Sequence, residues 1–351
     1  MLNRTTKRCS AALALLAALC TAGPAAAQGS ETARVAQLQG ANRQQLLLEG
    51  AKKEGEITVY TSNIEDMPLL AEAFTKKTGI KVTIWRAGSE QVTQKVMAEA
   101  RGRRPQADIV DNNVLGVEAL HKEQLLQAAW SPFLADLMPQ AAPAHREWAG
   151  TTLDMFVAGY NPKLVKAADL PKTYQDLLDP KWKGKLSVEA EDHHWFATLL
   201  ELLGPESGRK LFRQIVNTNG IEVRKGHSKM ANLVVAGELP LALTLYHYKP
   251  AQMKAKGETI DWFGIQPVAA HLRGVGVLKT TPRPHAAMLF YDFMLSDAQQ
   301  ILASRHHYPT SMKVDSPLKQ NKPVVIDPTR TLELADRWMK EYEDMLKPGG
   351  K

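Results

Sequence analysis

The sequence predicts an α/β protein of two lobes, each a mainly parallel sheet flanked by helices, joined by a hinge. Three observations carry that expectation. Residues 56–86 read strand, helix, strand; residues 186–248 repeat an α/β pattern; and two long extended stretches, 151–160 and 266–278, are placed to cross between the units. The 324 residues that would remain after an N-terminal leader are long for one core and sufficient for two.

In the first unit, Ile57, Val59 and Thr61 alternate with polar neighbours, which is strand periodicity, and the strand ends at Ser62-Asn63. Pro68 sits in the first turn of a helix whose Leu69, Leu70, Ala73 and Phe74 share a face and which stops at Gly79. Val82 and Ile84 mark the next strand. Ala87-Gly88-Ser89-Glu90 then opens a helix carrying Val92, Val96, Met97 and Ala100, and 107–113 forms a third strand. In open α/β sheets the ligand crevice lies at the carboxyl ends of the strands, so Ser62, Ser89 and Asp111 are expected on one rim.

The second unit begins at Leu186 and Val188, whose polar end is Glu191-Asp192-His193-His194: either Asp192 caps the helix that follows, or one of the carboxylates or His193 reaches the crevice at the strand's carboxyl end. Ser207 is expected to cap the next helix. Lys225-Gly226-His227-Ser228-Lys229 precedes Met230, Leu233 and Val234 at helical spacing, a helix start that attracts anions and oxygen ligands. The starts at Ser89 and Ser228 are expected to face each other across a cleft. Ser228 bonds a ligand, caps its helix, or does both, and Arg224 and Lys225 read as a solvated basic edge. Residues 239–248 are expected as a strand, with Tyr246 and Tyr248 on one side of it. Ser296-Asp297-Ala298-Gln299 reads as a capping box, His306-His307 as a surface turn, and 330–346 as a long amphipathic helix.

Arg4, Lys7 and Arg8, the apolar run Ala11 to Cys20 and Gly23-Pro24-Ala25-Ala26-Ala27 have the order of a secretory signal peptide cleaved after Ala27. A lipid anchor on Cys20 would want a small residue where Leu19 stands. Cleavage removes both cysteines, excluding disulfides and thiol chemistry, and takes the formal charge from +7 to +4. Basic runs interleaved with aromatics, as nucleic-acid binding wants, are absent.

These stretches together resemble the periplasmic substrate-binding proteins of ATP-driven importers, in the ferric-iron or spermidine/putrescine group. The matching residues are Gly55-Glu56-Ile57-Thr58-Val59-Tyr60-Thr61-Ser62, Phe74-Thr75-Lys76-Lys77-Thr78-Gly79-Ile80-Lys81-Val82 and Arg104-Pro105-Gln106-Ala107-Asp108-Ile109-Val110. Gly159-Tyr160-Asn161, the run from Asp176 to Lys185 and Leu295-Ser296-Asp297-Ala298-Gln299-Gln300 continue the likeness in order. It implies the type II-like periplasmic-binding fold: signal 1–27, first lobe 28–152 with a return at 267–312, second lobe 153–266, and a helical tail 313–351. It implies further a monomeric periplasmic receptor that closes on a small ligand and delivers it to an ABC permease in the inner membrane, with no catalysis and no required cofactor.

Ligand contacts implied for the first lobe are Ser62, Asn63, Ser89, Glu90 and Asp111. For the second they are Asp192, His193, His227, Ser228, Tyr246, His247 and Tyr248. Ferric members of the group use two neighbouring tyrosines at the last of these positions; here His247 separates them. Tyr246 and Tyr248 either ligate Fe3+ as phenolates or serve packing and hydrogen bonding. The ligand is ferric iron or a small organic anion such as a carboxylate or phosphonate. A secreted enzyme on the same frame is the alternative, but no Gly-x-Ser-x-Gly elbow, His-Glu-x-x-His helix or phosphate-cradling loop supports it.

Overall fold

The computed structural model describes residues 31–62 and 65–347. The signal segment and Asn63 therefore lie outside the described residues. Strand β1 (Glu56–Thr61), helix Met67–Thr78 and β2 (Lys81–Arg86) form the expected parallel unit, with Gly79 in the left-handed conformation that ends the helix. Helix Ser89–Arg101 follows, then β3 (Ile109–Asn113), which lies parallel to β1 on its other side. The short β4 (Leu126–Gln127) leads by 3-10 turns to β5 (Ala149–Tyr160). In the second unit, β6 (Leu186–Glu189) lies parallel to β7 (Glu222–Arg224) and to β8 (Leu241–Tyr246). The chain continues through β9 (Asp261–Phe263), β10 (Ala269–Leu278), β11 (Tyr308–Pro309) and β12 (Val324–Val325).

The main path of strands runs β2-β1-β3-β10-β5-β8-β6-β7. The outer strands keep the parallel arrangement, while β10 is antiparallel to β3 and β5, and β5 to β8. Strand β5 is the shared member: its first half pairs with β10, its second half with β8 and β9. All twelve of its residues are buried, as are all ten of β10, so the two extended crossings of the sequence are confirmed as the centre of the molecule.

Apolar side chains gather in two clusters. One contains Phe74, Val110, Trp148 and Phe290; the other contains Phe156, Trp182, Trp195 and Phe212, and is completed by Trp338, Tyr342 and Met345 from the C-terminal helix Ala335–Leu346. The tail is broken at Leu334, and the preceding short helix Pro328–Glu333 turns to the other unit, where Thr329 Oγ1 donates to Glu118 at 2.9 Å.

Several local expectations need correction. Helix Pro205–Asn219 is capped by Gly204, so Ser207 lies inside its first turn. The Ser296 motif makes no side-chain cap; Gln299 is fully buried, and its amide donates to Thr151 O while its oxygen accepts from Ser311 N. Tertiary polar groups outbid the local cap. The turn at Arg305-His306 is on the surface, but His307 points inward and is 1 % exposed.

Candidate ligand site in the cleft

The floor is built by the crossing strands. Asp154 on β5 stands directly opposite His271 on β10, and Arg273 follows two residues on, on the same face. Arg273 donates to Asp111 at 3.2 Å and to Ser62 at 2.9 Å, and Thr61 donates to the same Asp111 oxygen at 2.6 Å. Burial pushes the Asp111 carboxyl up, and the Arg273 charge pulls against it. Asp111 Oδ1, Asp154 Oδ2 and His271 Nε2 are buried without a partner.

One wall comes from the ends of β6 and β8 and from two helix starts. Glu189 closes β6 and accepts from the amides of Gly226 at 2.8 Å and Glu191 at 2.6 Å. Asp192 stands at the N-cap position of helix His193–Leu203, yet makes no cap bond; its carboxylate faces His227 Nε2 at 3.1 Å. The expected capping role is therefore wrong, because the imidazole is the stronger partner. His227 opens helix His227–Ala236, whose N-cap is Gly226, so Ser228 does not cap it and is exposed in the first turn. Burial works to lower His227, but Asp192 and Glu189 outweigh it and hold the imidazole above its ordinary value.

Strand β8 ends at Tyr246, two residues short of the expectation, and Tyr248 opens helix Tyr248–Ala255. The rings still lie side by side, with centroids 6.3 Å apart and planes 20° apart. Tyr246 stacks on His227 at 4.0 Å and Tyr248 on His307 at 4.3 Å. Burial, followed by the charges of Asp192 and Asp154, pushes the Tyr246 phenol well up; burial and Asp154 do the same to Tyr248. His247 is fully buried between them: its Nδ1 accepts from Met155 N at 3.1 Å, its Nε2 has no partner, and burial takes its pKa down to about 3.

Of the other expected residues, Ser89 is half-buried at the start of its helix and Glu90 is exposed there. Lys225 pairs with Glu191 at 2.6 Å, and that pairing raises its pKa, with a smaller contribution from Glu90. Arg224 and Lys225 are exposed, as expected of a basic edge. His193 is half-buried with Nδ1 unpartnered.

The sequence reading missed Asp154, His271 and Arg273, although polar residues two apart in an otherwise apolar buried strand were a visible signal. It also missed Glu189, hidden as the last residue of a strand, and the pair His307–Asp66 at 2.7 Å.

This mixed α/β frame is that of the two-lobed periplasmic binding proteins. The chain belongs to the bacterial extracellular solute-binding protein family, whose pattern matches residues 60–301. It is 28 % identical over 280 residues to an Fe(3+)-binding periplasmic protein of Serratia marcescens, covering 76 % of this chain and 81 % of that one. It is 26 % identical over 289 residues to iron uptake protein A1 of Synechocystis, covering 77 % and 79 %. Iron-bound HitA from Pseudomonas aeruginosa superposes with a TM-score of 0.71 at 26 % identity, over 83 % of this chain and 99 % of that one. The fold is shared with AfuA of Actinobacillus pleuropneumoniae, solved with fructose-6-phosphate, at a TM-score of 0.72 and 21 % identity, over 84 % and 99 %. The protein is a solute receptor.

Proposed function

We propose that the receptor binds ferric iron in this cleft and hands it to an ABC permease at the inner membrane. The observation that carries the reading is the charge balance around the stacked tyrosines. Asp111, Asp154, Glu189 and Asp192 are buried there, and the permanently charged group among them, Arg273, is already paired with Asp111. An organic anion would enter against that excess, whereas a cation is drawn to it and would lower the phenol pKa values that burial, and after it the carboxylates, raise. Phenolate and carboxylate oxygens are hard donors suited to Fe(III). The iron-binding relatives support the same ligand.

In this reading the lobes divide as 28–152 with 267–312 against 153–266, and closure between them signals loading. The receptor works as a monomer in the periplasm, without catalysis and without a resident cofactor. Titration with a ferric salt should produce a visible tyrosinate-to-iron band that Tyr246→Phe and Tyr248→Phe each weaken and the double change removes. A phosphonate or carboxylate that raises the unfolding midpoint, in a protein that yields no such band, overturns the ferric assignment in favour of an anion.

A further inference from the structure

Resting on the ferric reading, we propose that Glu189, Asp192 and His227 ligate the cation directly beside the Tyr246 phenolate, so that the cleft takes a bare metal ion with no helper anion. One donor atom from each of the three residues lies within 4.8 Å of the other two. A cation held at about 2.1 Å from each donor would draw them to roughly 3 Å apart, a contraction that side-chain rotation supplies. The carboxylates are orderly: each Glu189 oxygen takes one backbone amide, from Gly226 or Glu191, and keeps a second lone pair.

Glu189 and Asp192 are 2 % and 1 % exposed, and the His227 imidazole faces the Asp192 carboxylate at 3.1 Å. Two buried carboxylates in that arrangement gain much from a metal ion. A separate observation points to the same space. His271, 1 % exposed with Nε2 unpartnered, has its ring 5.0 Å from Tyr246, whose own ring stacks on His227; Asp154, opposite His271, also holds an unpartnered oxygen.

The exclusion of a helper anion follows from charge. Two carboxylates and the two phenolates already match or exceed the charge of a trivalent ion within the protein, leaving none for a further anion to meet. At the helix start a free anion would also meet the Glu189 carboxylate, which already accepts from the Gly226 amide.

The test uses the full processed chain loaded with ferric nitrilotriacetate and then passed into an anion-poor buffer. Native mass spectrometry should show one iron per chain and no retained anion; an anion carried with the iron overturns the proposal. Glu189→Gln, Asp192→Asn and His227→Ala should each weaken ferric affinity, in competition with a chelator, by about 100-fold or more, beyond the loss typical of a merely supporting residue. Thermal unfolding of the metal-free variants establishes that they fold. Should one not fold, electron spin-echo spectra of the unaltered iron-loaded protein must still carry an imidazole nitrogen signal, and its absence counts against His227. Iron-tyrosinate colour in the unaltered chain together with undiminished affinity in the variants defeats this inference alone. No colour in the unaltered chain defeats the ferric reading as well.

Discussion

Asp66 shows how single side chains tie distant parts of the chain together. It lies at the start of helix Met67–Thr78 and receives His307 at 2.7 Å, Arg305 at 2.9 Å and Gln252 at 3.3 Å. Burial works to raise its carboxyl, but His307 and Arg305 outweigh it and bring the pKa down from 3.8 to about 2. A depressed carboxyl stabilises the fold above its unfolded value and loses that contribution as pH falls through its folded value. Acid titration followed by circular dichroism should therefore show stability declining between pH 3.8 and about 2. Asp66→Asn should remove that segment of the profile and lower stability by about 3 kcal/mol in urea, because a buried partner is left unpaired. The same logic governs Arg273. Replacing it with Leu strands Asp111 and should lower stability by about 3–5 kcal/mol, read from the same denaturant curves.

Among the elements, the helix starts show what local chemistry can and cannot decide. Asn113 ends β3 and caps helix Val114–Lys122, its side chain accepting from Gly116 N at 2.9 Å. Asn113→Ala should cost about 1 kcal/mol in the unfolding free energy. That cap is a local bond, three residues long. Asp192 occupies the equivalent place on its helix, and its carboxylate goes instead to His227, 35 residues away in sequence. The strand-to-helix turn at His247 behaves similarly: a strand running through Tyr248 would keep the two phenols on one side, and the turn brings them together by a different backbone path.

For the whole molecule, the C-terminal tail spans both units. Trp338, Tyr342 and Met345 fill the second cluster, Tyr342 donates to Glu189 O at 2.7 Å, and Thr329 and Lys122–Glu333 bind the other side. Deleting 328–351 removes Trp338, Tyr342 and Met345 and uncovers the face of the second cluster they pack on, a loss of about 2 kcal/mol for each of the three. The shortened chain should lose roughly 5 kcal/mol or more of stability, measured by urea unfolding. Its loss of the Tyr342 bond also loosens the strand end that presents Glu189, so ferric affinity should fall alongside.

The order of strands and helices, the two crossing strands and the stops at Gly79 and Gly204 were legible in the sequence by itself, because hydrophobic period and turn chemistry act over a few residues. Tyr246, His227 and Asp192 drew attention in the sequence for a similar reason: they sit at strand and helix ends, where the chain turns. What the tertiary structure alone decided is which polar side chains meet. Asp154 opposes His271 by strand register, Arg273 reaches Asp111 on the neighbouring strand, and Asp192 leaves its own helix for His227. Each pairing joins residues far apart in sequence, where no local preference operates and the cost of burying an unpaired charge selects the partner.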